Sequence, residues 1–321
     1  MARTTKPKTS KPPKTRKRYS IGEWYGRPFE AIPPAEWLRN AQTEIEIDSI
    51  RGLDCPFQKG RLCNKKGGVC SLRLYEQTGD GPVTMSGPLI TTCPNRLLED
   101  DIIFQWIGQE VLASAKPIIL RQIGFLHRLK DSTILAESPS DHEEDDKRDF
   151  IGRIDNVLVH PTKQPLDWCA VELQAVYFSG KSMRREFKML SESKFSQIPF
   201  PAEQRRPDWR SSGPKRLLPQ LQTKIPDISN WGKKMAVVID EAFFGSLVGL
   251  EPVKHLSNAQ IAWFIVQYEK NGDCWRLKPK DVVFSKLDSS VKALTGGVPL
   301  SKEEFENQLR AKLPSEMKSK T

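Results

Sequence analysis

The sequence predicts an α/β protein, with a mixed sheet flanked by helices and a small cysteine-rich module ahead of the sheet. Three observations lead to this prediction. Two β-type runs flank a short turn in residues 150–179, a helical pattern occupies residues 96–116, and four cysteines are concentrated in residues 55–93. Together they indicate a sheet-based domain that follows a module organised by its cysteines.

Residues 150–179 are predicted to form a hairpin of two strands. The first run carries Asp155 in its middle, and the second contains Glu172 and Gln174. The turn at residues 161–165 has prolines at both ends, which interrupt strand pairing. Because side chains alternate along a strand, Glu172 and Gln174 fall on the same face. The hairpin can therefore bring Asp155 close to Glu172, with Gln174 beside them.

Two carboxylates and one amide in this arrangement have a chemical use. Asp155 and Glu172 offer the hard oxygen ligands that Mg²⁺ prefers. A metal-activated water can then attack a phosphodiester, and the metal neutralises charge in the transition state. Gln174 cannot act as a base, but it can orient the water or donate a hydrogen bond to a phosphate oxygen. The alternative is that both acids are solvated residues on the polar face of a hairpin.

Four of the six cysteines form a second candidate site. Cys169 and Cys274 lie apart in strand-like runs and are interpreted as small buried hydrophobic residues. The other four flank a tight turn at Gly67 and Gly68, and they favour metal binding over disulfides because the N-terminus lacks a secretion signal. All-sulfur ligation suits Zn²⁺ or a single iron, and free buried thiols are the alternative. These four are Cys55, Cys63, Cys70 and Cys93.

The positive charge of the chain favours a polyanionic partner. The net charge is +10, and residues 1–18 alone contain eight Lys or Arg and no acid. This tail is predicted to be disordered, and it serves either solubility or binding to the DNA backbone. Residues 131–149 form a predicted acidic loop that would face away from a duplex or be displaced when DNA binds. The sequence contains no apolar run long enough for a transmembrane helix.

A second basic segment follows the hairpin at residues 181–216. Its side chains could hold the phosphate backbone or read guanine edges in the major groove, although a solvated charged surface is the simpler interpretation. The candidate DNA-binding residues are Lys181, Arg184, Arg185, Lys188, Arg205, Arg206 and Arg210.

Other elements are predicted along the chain. Asp240 and Glu241 form a rival acidic pair without a matching second strand. Glu110 is a candidate metal contact on the helix before the hairpin, although a solvated position on that helix is the favoured interpretation. The predicted elements are a short helix from Pro34, an amphipathic helix in residues 96–116, a buried strand at residues 235–240 with a helix behind it, a hairpin around Asn271-Gly272, and a capped helix from Ser301 to Leu313.

The order of the motifs resembles the NotI family of restriction endonucleases. CPF at residues 55–57, GVC at 68–70 and CPNR at 93–96 precede VELQ at 171–174, and the resemblance covers roughly residues 50–244. It implies that the four cysteines bind iron, with zinc as the alternative, and that Asp155 and Glu172 hold the catalytic Mg²⁺. Gln174 would stand where the PD-(D/E)xK motif has lysine.

The resemblance implies a PD-(D/E)xK core and a type II restriction endonuclease of the bacterial cytoplasm. The expected divisions are a basic tail (1–18), a Cys₄ metal-binding module (19–95) and a catalytic domain (96–321). Such an enzyme would cleave double-stranded DNA at a palindrome with Mg²⁺, and a palindrome implies a homodimer. The alternatives are a non-catalytic DNA-binding protein with a structural Cys₄ finger and a nuclease for structured or damaged DNA.

Overall fold

The computed structural model describes residues 14–46, 54–127, 150–192, 195–297 and 299–313. The predicted acidic loop and the first 13 residues of the predicted tail lie outside the described residues. Strand β1 begins at Thr15, and residues 15–18 pair with β3. The predicted disorder of the tail is therefore wrong for these four residues. Polar side chains can occupy this part of the sheet because the facing strand offers them partners. Lys17, for example, forms an ion pair with Glu76.

An antiparallel sheet of four strands forms the N-terminal part. Its strands are β1 (Thr15–Trp24), β2 (Arg27–Pro28), β3 (Val69–Thr78) and β4 (Thr84–Thr91), in the order β2-β1-β3-β4. Helix α1 (Pro34–Glu46) follows β2 and packs against α3 (Arg184–Glu192) from the later part of the chain. Cys55 and Cys63 precede β3, Cys70 lies on β3 and Cys93 follows β4, so this sheet carries the cysteine-bearing loops.

A mixed sheet of six strands forms the centre of the protein, as predicted. The order is β12-β11-β10-β7-β6-β5, with β10 parallel to both β7 and β11 and the other pairs antiparallel. The two predicted hairpins, β6–β7 and β11–β12, are both present. The strands are β5 (Ile118–His127), β6 (Phe150–Val159), β7 (Trp168–Leu173), β10 (Lys234–Asp240), β11 (Ile261–Asn271) and β12 (Cys274–Ser285). A separate ribbon pairs β8 (Phe178–Gly180) with β9 (Arg205–Pro207).

Helices cover both faces of the mixed sheet. Helix α2 (Ile102–Leu112) buries its apolar side against one face, which includes Cys169 as predicted. The opposite face packs against α5 (Leu218–Asn230), α6 (Glu241–Phe244), α7 (Leu287–Thr295) and the N-terminal sheet. The remaining helices are α4 (Trp209–Ser212) and α8 (Lys302–Lys312), which has the predicted capping box of Ser301 and Glu304. None of the helices in the described residues is long and apolar enough to span a membrane.

The helix predicted in residues 96–116 begins later than expected. Residues 94–101 form 3₁₀ turns, and Asp100 and Asp101 adopt left-handed backbone conformations just before α2. The helix begins late because Arg96, within these 3₁₀ turns, is buried. Its guanidinium contacts Glu23 at 2.9 Å and Glu99 at 2.6 Å. This network joins the first strand to the central sheet, since Arg96 also donates to the carbonyl of Trp275.

Replacing Arg96 by methionine is expected to lower the free energy of unfolding by about 3–5 kcal/mol, because the buried carboxylate of Glu23 would lose its cationic partner and that of Glu99 would be left with Arg276. The matched control is Lys17→Met, which breaks an exposed pair with Glu76 and should cost less than about 1 kcal/mol. Urea unfolding of both variants measures the difference. Equal losses in the two variants would contradict the assigned role of Arg96.

Candidate active site

The structure brings Asp155 and Glu172 together, as the hairpin prediction required. Strands β6 and β7 pair Val157 with Ala170 and Asn156 with Val171, and the same register places residue 155 opposite residue 172. The two carboxyl groups are near enough for Asp155 to raise the pKa of Glu172 through its charge and through a hydrogen bond. Asp155 also accepts a hydrogen bond from the backbone N–H of Leu173 at 3.4 Å. The pair therefore sits where β7 ends.

Burial sets the electrostatics of this pair. Glu172 is 2 % exposed, whereas Asp155 is half-buried and borders a cavity. Burial raises the pKa of Glu172 to about 7, the charge of Asp155 adds to the rise, and Lys224 opposes it. Two neighbouring carboxylates with one ammonium beside them leave a net negative charge in a poorly solvated place. A divalent cation can relieve that excess, and carboxylate oxygens are suitable ligands for Mg²⁺.

Gln174 lies one residue beyond the end of β7, which is shorter than the predicted strand. Its backbone N–H still donates to the carbonyl of Val238 on β10 at 3.0 Å, and its side chain is nearly buried. The residue lines a cavity of about 290 Å³ together with Lys65, Arg216 and Gln220. This cavity combines two amides with two cations, which suits the binding of a phosphate group.

The cysteine-bearing loops border the other side of the carboxyl pair. A cavity of about 170 Å³ lies between Asp155 on β6 and the side chains of Gln58, Arg61 and Asn95. Lys65 reaches the first cavity from the same loops, where its ammonium donates to the carbonyl of Thr92 at 2.8 Å. Sequence reasoning did not assign these polar residues to the site, because the contact between the loops and β6 is long-range.

Lys224 on α5 is a further side chain that the sequence analysis missed. Its ammonium contacts the carboxylate of Glu172 and donates to Gln220 Oε1 at 3.1 Å. One signal could have found it: a lysine three residues after Leu221 and four before Ile228 lies on the apolar face of its helix. A buried lysine in such a place requires an acidic partner.

The four clustered cysteines are buried and free of disulfides. Burial raises the pKa of the thiols of Cys63, Cys70 and Cys93, and the neighbouring thiols raise it further. The backbone N–H of Cys93 donates to the carbonyl of Cys70 at 3.2 Å, so two of the loops are tied together. As the side chains stand in the described residues, no three His, Cys, Asp or Glu residues are grouped so that they could hold a metal ion. The thiols are therefore neighbours without forming a closed coordination shell.

Most of the predicted DNA-binding residues lie on the surface of the segment after the hairpin. The exposed ones are Lys181, Arg184, Arg185, Lys188, Arg206 and Arg210. Two of these have an acidic neighbour, Arg185 with Glu203 and Lys188 with Glu192 at 3.6 Å.

The prediction for Arg205 was wrong. Its side chain is buried, its guanidinium pairs with the buried carboxylate of Glu186, and it also donates to the carbonyls of Lys181 and Ser182. Arg205 therefore fastens β9 to α3 and does not face a ligand.

The rival acids have structural roles. Asp240 caps α6 by accepting from the N–H of Phe243 at 2.8 Å, and it accepts from the N–H of Thr91 at 2.7 Å. Its neighbour Glu241 pairs with Lys280. Glu110 is exposed on α2, as a solvated residue of that helix would be. The carboxyl pair on β6 and β7 is thus the stronger candidate for chemistry.

Comparison with known families decides the affiliation of the chain. The family model described as restriction endonuclease NotI matches residues 42–278, which is most of the chain. The chain belongs to the NotI restriction endonuclease family. The matched region contains the four clustered cysteines, the carboxyl pair and Lys224. No curated protein sequence matches the chain.

Membership of the NotI family gives the protein a function. A restriction endonuclease is a nuclease that binds DNA and cleaves it at a specific site. Among the described residues, the pair of Asp155 and Glu172 has two cavities beside it that contain cationic side chains, as such a reaction requires.

Proposed function

We propose that this NotI-family protein is a Mg²⁺-dependent type II restriction endonuclease that hydrolyses phosphodiesters of double-stranded DNA at a specific palindrome. The observation that carries the proposal is the placement of Asp155 opposite Glu172 on paired strands, beside cavities with cationic side chains. The β6–β7 hairpin and the E-x-Q sequence support assignment to the PD-(D/E)xK nucleases, with Gln174 in the place of the lysine.

Asp155 and Glu172 fit a catalytic Mg²⁺ by their chemistry. Both are hard oxygen donors, and their mutual repulsion is relieved by a divalent cation. When bound, Mg²⁺ activates the attacking water and neutralises charge on the phosphodiester. The protein supplies the rest: the buried hairpin fixes the two carboxylates, and the surrounding residues orient the phosphate.

The residues around the 290 Å³ cavity would hold the DNA backbone at the reacting position. Lys65 and Arg216 carry the positive charge, and Gln174 offers a neutral donor. The exposed cations of the segment after the hairpin extend this charge away from the site. A palindromic target would be bound by two copies of the chain related by a two-fold axis, since each copy offers one active site.

The cysteine loops would form an iron site, with zinc as the alternative metal. Four buried thiols support this assignment, and in three of them, Cys63, Cys70 and Cys93, burial and neighbouring thiols raise the pKa; soft thiolate ligands select iron or zinc. The thiols would move together on binding, since they do not form a closed shell as they stand. The role is structural: the metal would fix Gln58, Arg61 and Lys65 beside the carboxyl pair.

Incubation of the purified protein with plasmid DNA and Mg²⁺ tests the proposal. We expect discrete fragments whose sequenced ends share one palindrome, in line with a bacterial cytoplasmic restriction enzyme. Retarded but intact DNA would instead identify a binding protein with a structural finger. Fragments without a common end sequence would identify a nuclease for structured or damaged DNA.

A further inference from the structure

Lys224 belongs to the carboxyl pair by its contacts and its burial. The side chain is 5 % exposed, and its ammonium touches the carboxylate of Glu172, which is 2 % exposed. Helix α5 holds it there, because Leu221, Ile225 and Ile228 of the same helix are buried in the core. The contact is therefore fixed by the fold and is unlike the exposed ion pairs of the surface.

The ammonium has one donor left for a ligand. A lysine ammonium has three N–H groups, and the described residues provide Lys224 with two acceptors, Glu172 and Gln220. Gln220 lines the 290 Å³ cavity that also contains Gln174. The ammonium of Lys224 thus contacts both parts of the site: Glu172 of the carboxyl pair, and Gln220, which lines the 290 Å³ cavity.

The positive charge of Lys224 also offsets the negative charge of the carboxyl pair. Asp155 and Glu172 lie opposite each other on paired strands, and the burial of Glu172 gives their repulsion little screening by water. Lys224 holds one oxygen of Glu172 and so fixes the rotation of the carboxylate. The E-x-K form of the motif has a lysine two residues after the glutamate, and this chain has Gln174 there.

We infer that Lys224 supplies the positive charge that the E-x-Q sequence lacks, and that it acts as a positioning residue by orienting the carboxylate of Glu172 for the reaction. The amine comes from helix α5 and not from strand β7, so the sequence motif alone does not reveal it. This inference rests on the proposed nuclease function.

Substitution of Lys224 separates this role from a purely structural one. The Lys224→Met variant should cleave DNA about 100-fold more slowly in single turnovers at saturating Mg²⁺. Lys224→Arg keeps a cation on Glu172 and should recover at least about tenfold of that loss. In the absence of divalent metal, both variants should bind DNA within about threefold of wild type, because α5 does not supply the exposed cations.

Two further variants complete the design. Lys233→Met is the matched control, since it breaks an ion pair with Asp167 at the opposite end of β7 and should leave cleavage within about threefold of wild type. Gln220→Leu removes the second acceptor of the amine without leaving a charge unpaired, and should cleave about tenfold more slowly. Gln220→Leu decides the question if Lys224→Met does not fold.

The outcomes distinguish this inference from the function on which it rests. If the wild type cleaves DNA and folded Lys224→Met or Gln220→Leu cleaves equally fast, the inference about Lys224 is wrong and the nuclease function stands. A Lys224→Met variant that has a lower melting temperature but a normal rate below that temperature also overturns it. If the wild type cleaves no DNA with Mg²⁺, both the function and the inference fail.

Discussion

Replacement of Glu172 by glutamine is expected to lower the rate of DNA cleavage by about 10⁴-fold, as loss of one member of a catalytic unit does in other enzymes. The amide keeps the shape of the side chain and can still accept a hydrogen bond from Lys224, but it removes the negative charge. Asp155 alone would then have to hold the divalent metal. Single-turnover cleavage of plasmid DNA measures the effect.

The same hairpin provides the control for this experiment. Asp167 lies in the segment that joins β6 and β7, where it pairs with Lys163 and Lys233 away from the carboxyl pair. Asp167→Asn should therefore cleave within about threefold of wild type. Circular dichroism should show the same folded state for both variants. Wild-type cleavage by Glu172→Gln would remove the carboxyl pair from the mechanism.

Loss of bound metal is the second large effect that we expect. Wild-type protein purified without chelators should contain about one iron per chain and absorb visible light, because the four thiolates would supply a complete tetrahedral ligand set once the loops close around the metal. The Cys70→Ala variant should lose that metal. Its loops should become sensitive to proteolysis, since metal binding and folding of such loops are coupled.

Cys169 supplies the matched control for the metal experiment. It is buried in the core on the α2 side of the central sheet and lies outside the cluster. Cys169→Ala should therefore retain the full metal content. Elemental analysis and visible absorption measure both variants. A colourless wild-type protein that contains only zinc would contradict the iron assignment, and equal metal content in the two variants would contradict the ligand set.

The features that the sequence revealed are local in the chain. The β6–β7 hairpin was predictable because Asp155 and Glu172 lie on two adjacent strands with a proline-rich turn between them. The capping box of Ser301 and Glu304 was predictable for the same reason, since its two residues are three apart. A mixed sheet flanked by helices was also predicted, whereas the order of its strands was not.

The features that the sequence did not reveal depend on long-range contacts. Lys224 reaches Glu172 from a helix that is 52 residues further along the chain. Arg205 looks like a DNA contact in the sequence, but Glu186 neutralises it in the core. Arg96 breaks the predicted helix because it pairs with Glu23 on the first strand. In each case a charged side chain has a buried partner that no local pattern identifies.

Binding of Mn²⁺, a paramagnetic substitute for Mg²⁺, tests most directly whether Asp155 and Glu172 hold a divalent metal. Electron paramagnetic resonance can count the ions bound by wild type, by Asp155→Asn and by the control Asp167→Asn. We expect about one bound Mn²⁺ in wild type and in the control, and its loss in Asp155→Asn. Equal binding by all three proteins, or no binding by wild type, would contradict the proposed site.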